Sequence, residues 1–283
     1  MSLPAPVGLT EELREAARAH AAGTGRFRLR AYYDGHHNNA PDPRRADVAV
    51  SLDAVVRPAL VWVGGDGWRM IGTGVLGGGI GPRRWWVNAM VDKEYHHPDP
   101  RRHVAEIAAD LGLTGPGTGM LTAAEVGSWR YAHEDGVHVA TTVGLGWPVW
   151  AAQAPGADDA PSVGTVNTLV EVPVAMSDAA LVNLVVTATE AKVQALAECG
   201  VPGTGTSSDA LAVACPAPDA ARRRVEERSP EADGRGRPAE EPYGGPRSRW
   251  GAVVARVVHA ATVEGVRDWM QRHPDQAAAW SRS

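Results

Sequence analysis

Lysine is nearly absent from this chain of 283 residues: only Lys93 and Lys192 occur among its 28 basic side chains. Phenylalanine occurs once, as Phe27, and cysteine twice, as Cys199 and Cys215. Two cysteines in apolar surroundings, without metal-type spacing, exclude a disulfide framework and read as buried free thiols. No uncharged apolar run approaches the roughly 20 residues that cross a bilayer. A net charge of -5 leaves no basic footprint, which excludes nucleic acid as the main partner. Neither lysine follows a glycine run, so there is no Walker-type phosphate loop, and no G-x-S-x-G elbow or H-E-x-x-H helix occurs. The opening MSLPAPVGLTEELREAARAH lacks a basic start followed by an apolar run, so a cytoplasmic protein is expected.

What is present is ordinary for a globular protein: 44% hydrophobic and 22% charged residues. The abundance of Ala, Gly, Pro and Arg reads as the coding bias of a GC-rich genome. Ten tryptophans also offer a stacking surface for a planar ligand. A helix is expected over Leu9 to Ala21, then short strands in RFRLRAYYDG and through ADVAVSLDAVVRPALVWVGGDGWRMIGTGVL. A further helix is expected over His103 to Leu113 and a strand over Val137 to Val143.

The clearest unit runs from Gly164 to Pro216. In GTVNTLVEVPV, Val166, Val170, Val172 and Val174 share one face and Asn167, Leu169 and Glu171 the other, at strand period. From Ser177 to Cys199 a helix is expected, with Val182, Val186, Thr189, Val193 and Leu196 as its apolar stripe and Asn183, Thr187, Glu190 and Gln194 opposite. Gly200 stops it, the loop GTGTSS follows, and ALAVAC is a buried strand. This loop leaves a helix C-terminus and enters a strand, so the helix dipole has the wrong sign for a phosphate cradle. Residues 217–241 are rich in Pro, Gly and mixed charge and read as a disordered insertion. Trp250 to Met270 reads as a last helix, apolar at Val253, Val257, Val258, Ala261 and Val266. A single domain over 1–283 is expected, of mixed α/β class: a layered sandwich with helices packed on largely antiparallel or mixed sheets.

Gly72, Gly74 and Gly77 match G-x-G-x-x-G, but the breakers in GGIGPRRWW follow where a dinucleotide site needs a helix. The pairs His36-His37 and His96-His97 have no companion ligands, so no metal site is expected. What remains is six polar clusters, each beside a glycine: Gly77 to Gly79 with Asn88; Gly119 to Thr122 with Glu125; Thr142 to Gly146; Gly164 to Asn167; Thr189-Glu190 with Lys192; and Thr204 to Asp209. Six such clusters exceed what turns require and suit a site assembled from loops around a large ligand.

In their order these clusters resemble the adenosylcobinamide amidohydrolase family of corrinoid salvage. The stretches that carry the resemblance are LGGGIGPRRWWVNAMVDKEYHHPDP, GPGTGMLTAAEV, VATTVGLG, GTVNTLVEVPVAMSDAALVNLVVTATEAKVQAL, GTGTSSDALAVACP and YGGPRSRWG. The resemblance implies hydrolysis of the amide joining the aminopropanol arm to the corrin side chain, giving adenosylcobyric acid. It implies a small-molecule corrinoid as substrate; the sequence points to no required cofactor, and whether a metal assists is left open. Two departures stand out: many relatives carry a histidine where this chain has Ala89, and Asn-Ala where it has Trp147-Pro148. Oligomeric state is left open.

Amide hydrolysis needs a nucleophile, a group that polarises the carbonyl and an acid for the leaving amine. The nucleophile is an activated water or a threonine, with Thr122, Thr204 and Thr206 the choices. Asp209 and Glu190 are the candidate bases, and Lys192 orients a carboxylate or stabilises an oxyanion. Asn88, Asn167, Thr165, Thr142, Thr204 and Gly78 are candidate substrate contacts. A corrinoid-binding protein without catalysis, and an amidase with a self-exposed threonine at Thr122, are the competing readings.

Overall fold

The computed structural model describes residues 26–34, 55–153, 164–221 and 240–280. Ten strands are described: β1 (Phe27–Asp34), β2 (Val55–Val63), β3 (Trp68–Gly72), β4 (Gly79–Pro82), β5 (Trp85–Met90), β6 (Gly117–Thr122), β7 (Arg130–Glu134), β8 (Val137–Leu145), β9 (Gly164–Glu171) and β10 (Ala210–Pro216). The helices are α1 (Pro100–Asp110), α2 (Asp178–Glu198), α3 (Arg249–Arg272) and α4 (Pro274–Trp280). The strands form a four-stranded sheet, β1-β2-β5-β6, and a six-stranded sheet, β4-β3-β10-β9-β8-β7. Each sheet is antiparallel except for one parallel pair, β5 with β6 and β9 with β10. Each parallel pair is bridged by a helix, as parallel neighbours require: α1 in the first case, α2 in the second.

Four layers result. Tyr32, Ala59, Val61, Val87 and Ala89 pack on Val104 and Ile107 of α1 and on Leu111, which caps its end. The opposite faces of the two sheets meet at Leu60, Trp62, Met70, Trp86, Met120, Leu169 and Ala212. Val139, Val170, Val172 and Val213 then face α2 and α3 across the outer side of the larger sheet. Alternation along β9 accounts for this arrangement: Val170 and Val172 lie under the helices while Leu169 lies between the sheets. The mixed α/β layered sandwich is therefore the observed class.

The helices begin on the expected chemistry. Ser177 accepts the Ala180 N–H at 3.2 Å at the start of α2, and Gly200 ends the helix at φ 73. Helix α1 opens three residues earlier than His103 because Asp99 caps it, accepting from Arg102 N–H at 3.0 Å, with Pro100 in the first turn.

The buried face of α2 differs from the expected one. Leu181, Leu184, Ala188, Ala191 and Ala195 are buried, whereas Val182 and Val186 are each 49% exposed. Counting β-branched residues favoured the valine row. The helix instead turns its small residues inward, where alanine lets α3 and the sheet approach closely. Thr187, expected on the polar side, is buried and donates to the Gly244 carbonyl at 2.9 Å. Leu184→Ala should therefore cost about 3 kcal/mol in urea unfolding. Val186→Ala should change stability by less than about 0.5 kcal/mol. The opposite ranking would restore the valine face.

The glycine loop between β3 and β4 opens no helix. It returns the chain to the larger sheet, and on the way Leu76 forms an isolated bridge to Gly119 of β6 in the smaller one. Gly77, at φ 62, has its Cβ position 1.9 Å from the Gly117 carbonyl oxygen, so only glycine fits. Outside the described residues lie the helix expected over Leu9 to Ala21, the pair His36-His37, and residues 222–239 of the expected insertion. Residues 218–221, inside that expected insertion, form a helical turn directly after β10.

Candidate functional site

The parallel register of β9 and β10 brings Asn167 opposite Ala210, and β8 sets Thr142 opposite Asn167. Across the gap between sheets, β5 presents Asn88 at the same level. Asn167 Nδ2 donates to Asn88 Oδ1 at 2.8 Å and to the Leu121 carbonyl at 2.9 Å. Asn88 Nδ2 donates in turn to Thr142 Oγ1 at 2.9 Å, and the Ala210 N–H donates to Asn167 Oδ1 at 3.1 Å. All three side chains are 0% exposed. Their amides are committed to one another and to strand ends, so they frame the site from within and offer no surface to a substrate.

One residue beyond Ala210 the network reaches solvent. Asp209 accepts at Oδ1 from the Val166 N–H at 2.8 Å, and the Thr206 hydroxyl lies 2.5 Å from the same oxygen. Its other oxygen accepts from Lys192 Nζ, which comes across from α2. The side chains of Asp209 and Lys192 are each 15% exposed, so this ion pair is the accessible part of the network. The single Thr206 proton has two acceptors in reach, Asp209 Oδ1 and the Gly164 carbonyl at 2.7 Å. Thr165 and Ser208 hydroxyls meet at 2.7 Å, and Ser208 also reaches the Gly164 carbonyl at 3.0 Å.

Gly205 fits against this pair because it has no side chain. A Cβ there would stand 2.3 Å from Asp209 Oδ2 and 2.7 Å from Lys192 Nζ. The segment after β8 fastens the loop from outside. Val149 N–H donates to the Gly205 carbonyl at 2.8 Å, and Thr204 N–H donates to the Val149 carbonyl at 2.9 Å. Thr204 Oγ1 accepts from the Ala151 N–H at 3.0 Å, which places Thr204 at the rim as a fastener.

Other expected site residues are placed differently. Thr122 is buried as the last residue of β6, and its hydroxyl accepts from the Ala124 N–H at 3.0 Å. Its neighbour Leu121 is the residue whose carbonyl Asn167 binds, so Thr122 borders the buried frame. Gly78 lies on the glycine loop, where its carbonyl accepts from Arg83 at 3.3 Å. Glu190 is exposed on α2, and no described hydrogen bond ties it to the network. Two positions before Lys192 on the helix, it does not share that residue's face. Ser208 and Gly205 went unmarked in the sequence individually, because GTGTSSD reads locally as a turn.

Two further polar groups flank the frame. Behind β5, His103 is buried beneath Tyr95, whose hydroxyl lies 3.1 Å from Nδ1, and Asp34 stands 3.5 Å from Nε2. Arg57 donates to Asp34 at 2.8 Å and Asp92 at 3.0 Å, tying the loop after β5 to β1 and β2. Burial, then the Asp34 and Asp99 charges, raise the Tyr95 phenol above its ordinary pKa, so it serves as a neutral hydrogen-bonding group. His96 and His97 turn to local partners, the Glu94 carbonyl and the Asp99 N–H. Among the described residues no group of three His, Cys, Asp or Glu side chains is disposed to hold a metal ion.

At the opposite end of the sheets, Glu171 accepts from the Trp62 indole N–H at 2.7 Å and pairs with Arg26. Beside it His138 is pushed down to about 4 by burial, then by the Arg26 and His133 charges. The folded state thus binds this proton less readily than the unfolded chain. Stability rises with pH where the unfolded state holds more protons, so it should fall as pH drops from about 6.5 to about 4. The thermal midpoint of His138→Gln should show a shallower slope in that window; an unchanged slope would assign it to other groups.

No helix among the described residues is long and apolar enough to cross a membrane. A family model described as adenosylcobinamide amidohydrolase matches residues 45–226, well over half of the chain. An adenosylcobinamide amidohydrolase of Methanosarcina mazei is 29% identical over 140 residues, 49% of this chain and 66% of the relative. One of Halobacterium salinarum is 40% identical over 102 residues, 34% of this chain and 43% of the relative. The chain thus spans about two thirds or less of the length of these relatives. The matched region includes Asn88, Thr142, Asn167, Lys192 and Asp209.

Proposed function

Because the chain belongs to the adenosylcobinamide amidohydrolase family, we propose that it hydrolyses the amide between the corrin side chain and the aminopropanol arm of adenosylcobinamide. Water is the second substrate, and adenosylcobyric acid and aminopropanol are the products, formed in the cytoplasm. The observation that carries this reading is the Lys192–Asp209 pair at the mouth of a buried polar frame.

Asp209 Oδ2 accepts from Lys192, and a carboxylate oxygen keeps a second lone pair with which to bind a water molecule. In this mechanism Asp209 takes a proton from the attacking water as its oxygen bonds to the amide carbon. The Lys192 ammonium stabilises the oxygen that becomes negative. Collapse breaks the C–N bond, and the proton held by Asp209 passes to the departing amine. Val166 N–H and Thr206 fix the carboxylate, so it is oriented before the substrate arrives.

Water is favoured over a self-exposed threonine by the place of Thr122. That residue closes β6 and pairs with Met90, so cleavage ahead of it would cut β6 and its pairing with β5. Intact mass should show one species near 29.8 kDa. Two fragments would support the threonine mechanism.

Incubating the protein with adenosylcobinamide should release aminopropanol and adenosylcobyric acid, resolved by liquid chromatography. Tight binding without either product would instead support the corrinoid-binding reading.

A further inference from the structure

Trp147 and Trp150 are 44% and 54% exposed, although a tryptophan gains much by burial. They flank Val149, whose N–H and C=O are bound to Gly205 and Thr204, and Ala151 N–H is bound to Thr204 Oγ1. Gly203 presses on the same place, its Cβ position 2.8 Å from the Val149 nitrogen. The segment that carries the two indoles is therefore fastened to the site loop through Val149, whose N–H binds the carbonyl of Gly205, the residue that abuts Asp209 and Lys192. Exposed aromatic faces on a backbone held at the edge of a site are suited to stacking on a flat ring.

Resting on the reading that the substrate is adenosylcobinamide, we infer that Trp147 and Trp150 form a stacking rim for the adenine of its axial nucleoside. The chemistry of the substrate selects the adenine. A corrin ring carries methyl and amide substituents on both faces, which keep an indole at a distance. Adenine offers an unobstructed aromatic face, and stacking on tryptophan is tolerant of orientation. The rim is a specificity device, separate from the Lys192–Asp209 pair that acts on the amide.

The test is equilibrium binding of the full chain to adenosylcobinamide and to cyanocobinamide, which differ in the axial ligand. Wild-type protein should favour the adenosyl form by about tenfold, the scale of one base–aromatic stack. The double variant Trp147→Ala/Trp150→Ala should lose that preference. A preference retained by the variant, or an equal weakening toward both forms, would overturn the rim. So would gel filtration in which wild type self-associates and the variant does not, because a second copy would then cover the indoles. Adenosyl preference without aminopropanol release would leave the rim standing and remove the hydrolase reading. If neither corrinoid binds, both fall.

Discussion

Asp209→Asn is expected to lower turnover of adenosylcobinamide by about a thousandfold, within the range that a general base supplies. The replacement keeps the shape of the side chain and an oxygen to accept from Val166 N–H and Thr206. It removes the proton acceptor and faces Lys192 with an uncharged amide. Lys192 loses its countercharge at a place only 15% exposed, so the thermal midpoint should fall by several degrees, and turnover is compared at a temperature where the variant remains folded. Glu190→Gln is the matching control and should keep wild-type rates, since that carboxylate lies outside the network. A full-rate Asp209→Asn protein would transfer the role of base elsewhere.

Gly205→Ala should be almost as damaging, and for a geometric reason alone. Gly205 does not have a positive φ, so alanine is free to adopt its backbone conformation. The added methyl falls 2.3 Å from Asp209 Oδ2 and 2.7 Å from Lys192 Nζ. These are the far ends of flexible side chains, so the fold can accommodate the methyl while the ion pair must separate. Activity should fall at least a hundredfold, because displacing reacting groups by about 1 Å costs that much. Near-UV circular dichroism and the unfolding midpoint should stay close to wild type. Loss of fold together with activity would show that the loop serves stability first.

Much of the framework was legible in the chain because strand alternation is a local property. The order Val166, Val170, Val172 against Asn167, Leu169, Glu171 already divides the helix side from the inter-sheet side. The face of α2 was not legible. Half of its buried residues are alanines, whose value lies in allowing close approach to α3, and a pattern of hydrophobic size cannot express that. Within the polar network, the ordered clusters marked most of the residues that the structure brings together. Their division into buried frame and accessible pair depends on long-range pairing. Asn88 and Asn167 are 79 positions apart and meet only because β5 and β9 face each other across two sheets. Lys192 and Asp209 are close in sequence, yet their contact requires the turn after α2 to bring the chain back beside the helix. Nothing in the local sequence distinguishes Gly205 from any other turn glycine; its need arises from what lies next to it.

The two sheets are joined by polar clasps at both ends, Asn88 to Asn167 at one and Trp62 to Glu171 at the other. A hydrophobic interface alone allows two layers to slide; directional bonds at both ends fix their offset, like two pins through a pair of plates. Space for a bulky substrate therefore cannot come from shearing the sandwich open. On the proposed reading such a molecule rests on the outer lip near Lys192 and Asp209, and any adjustment falls to the loops there while the plates stay still.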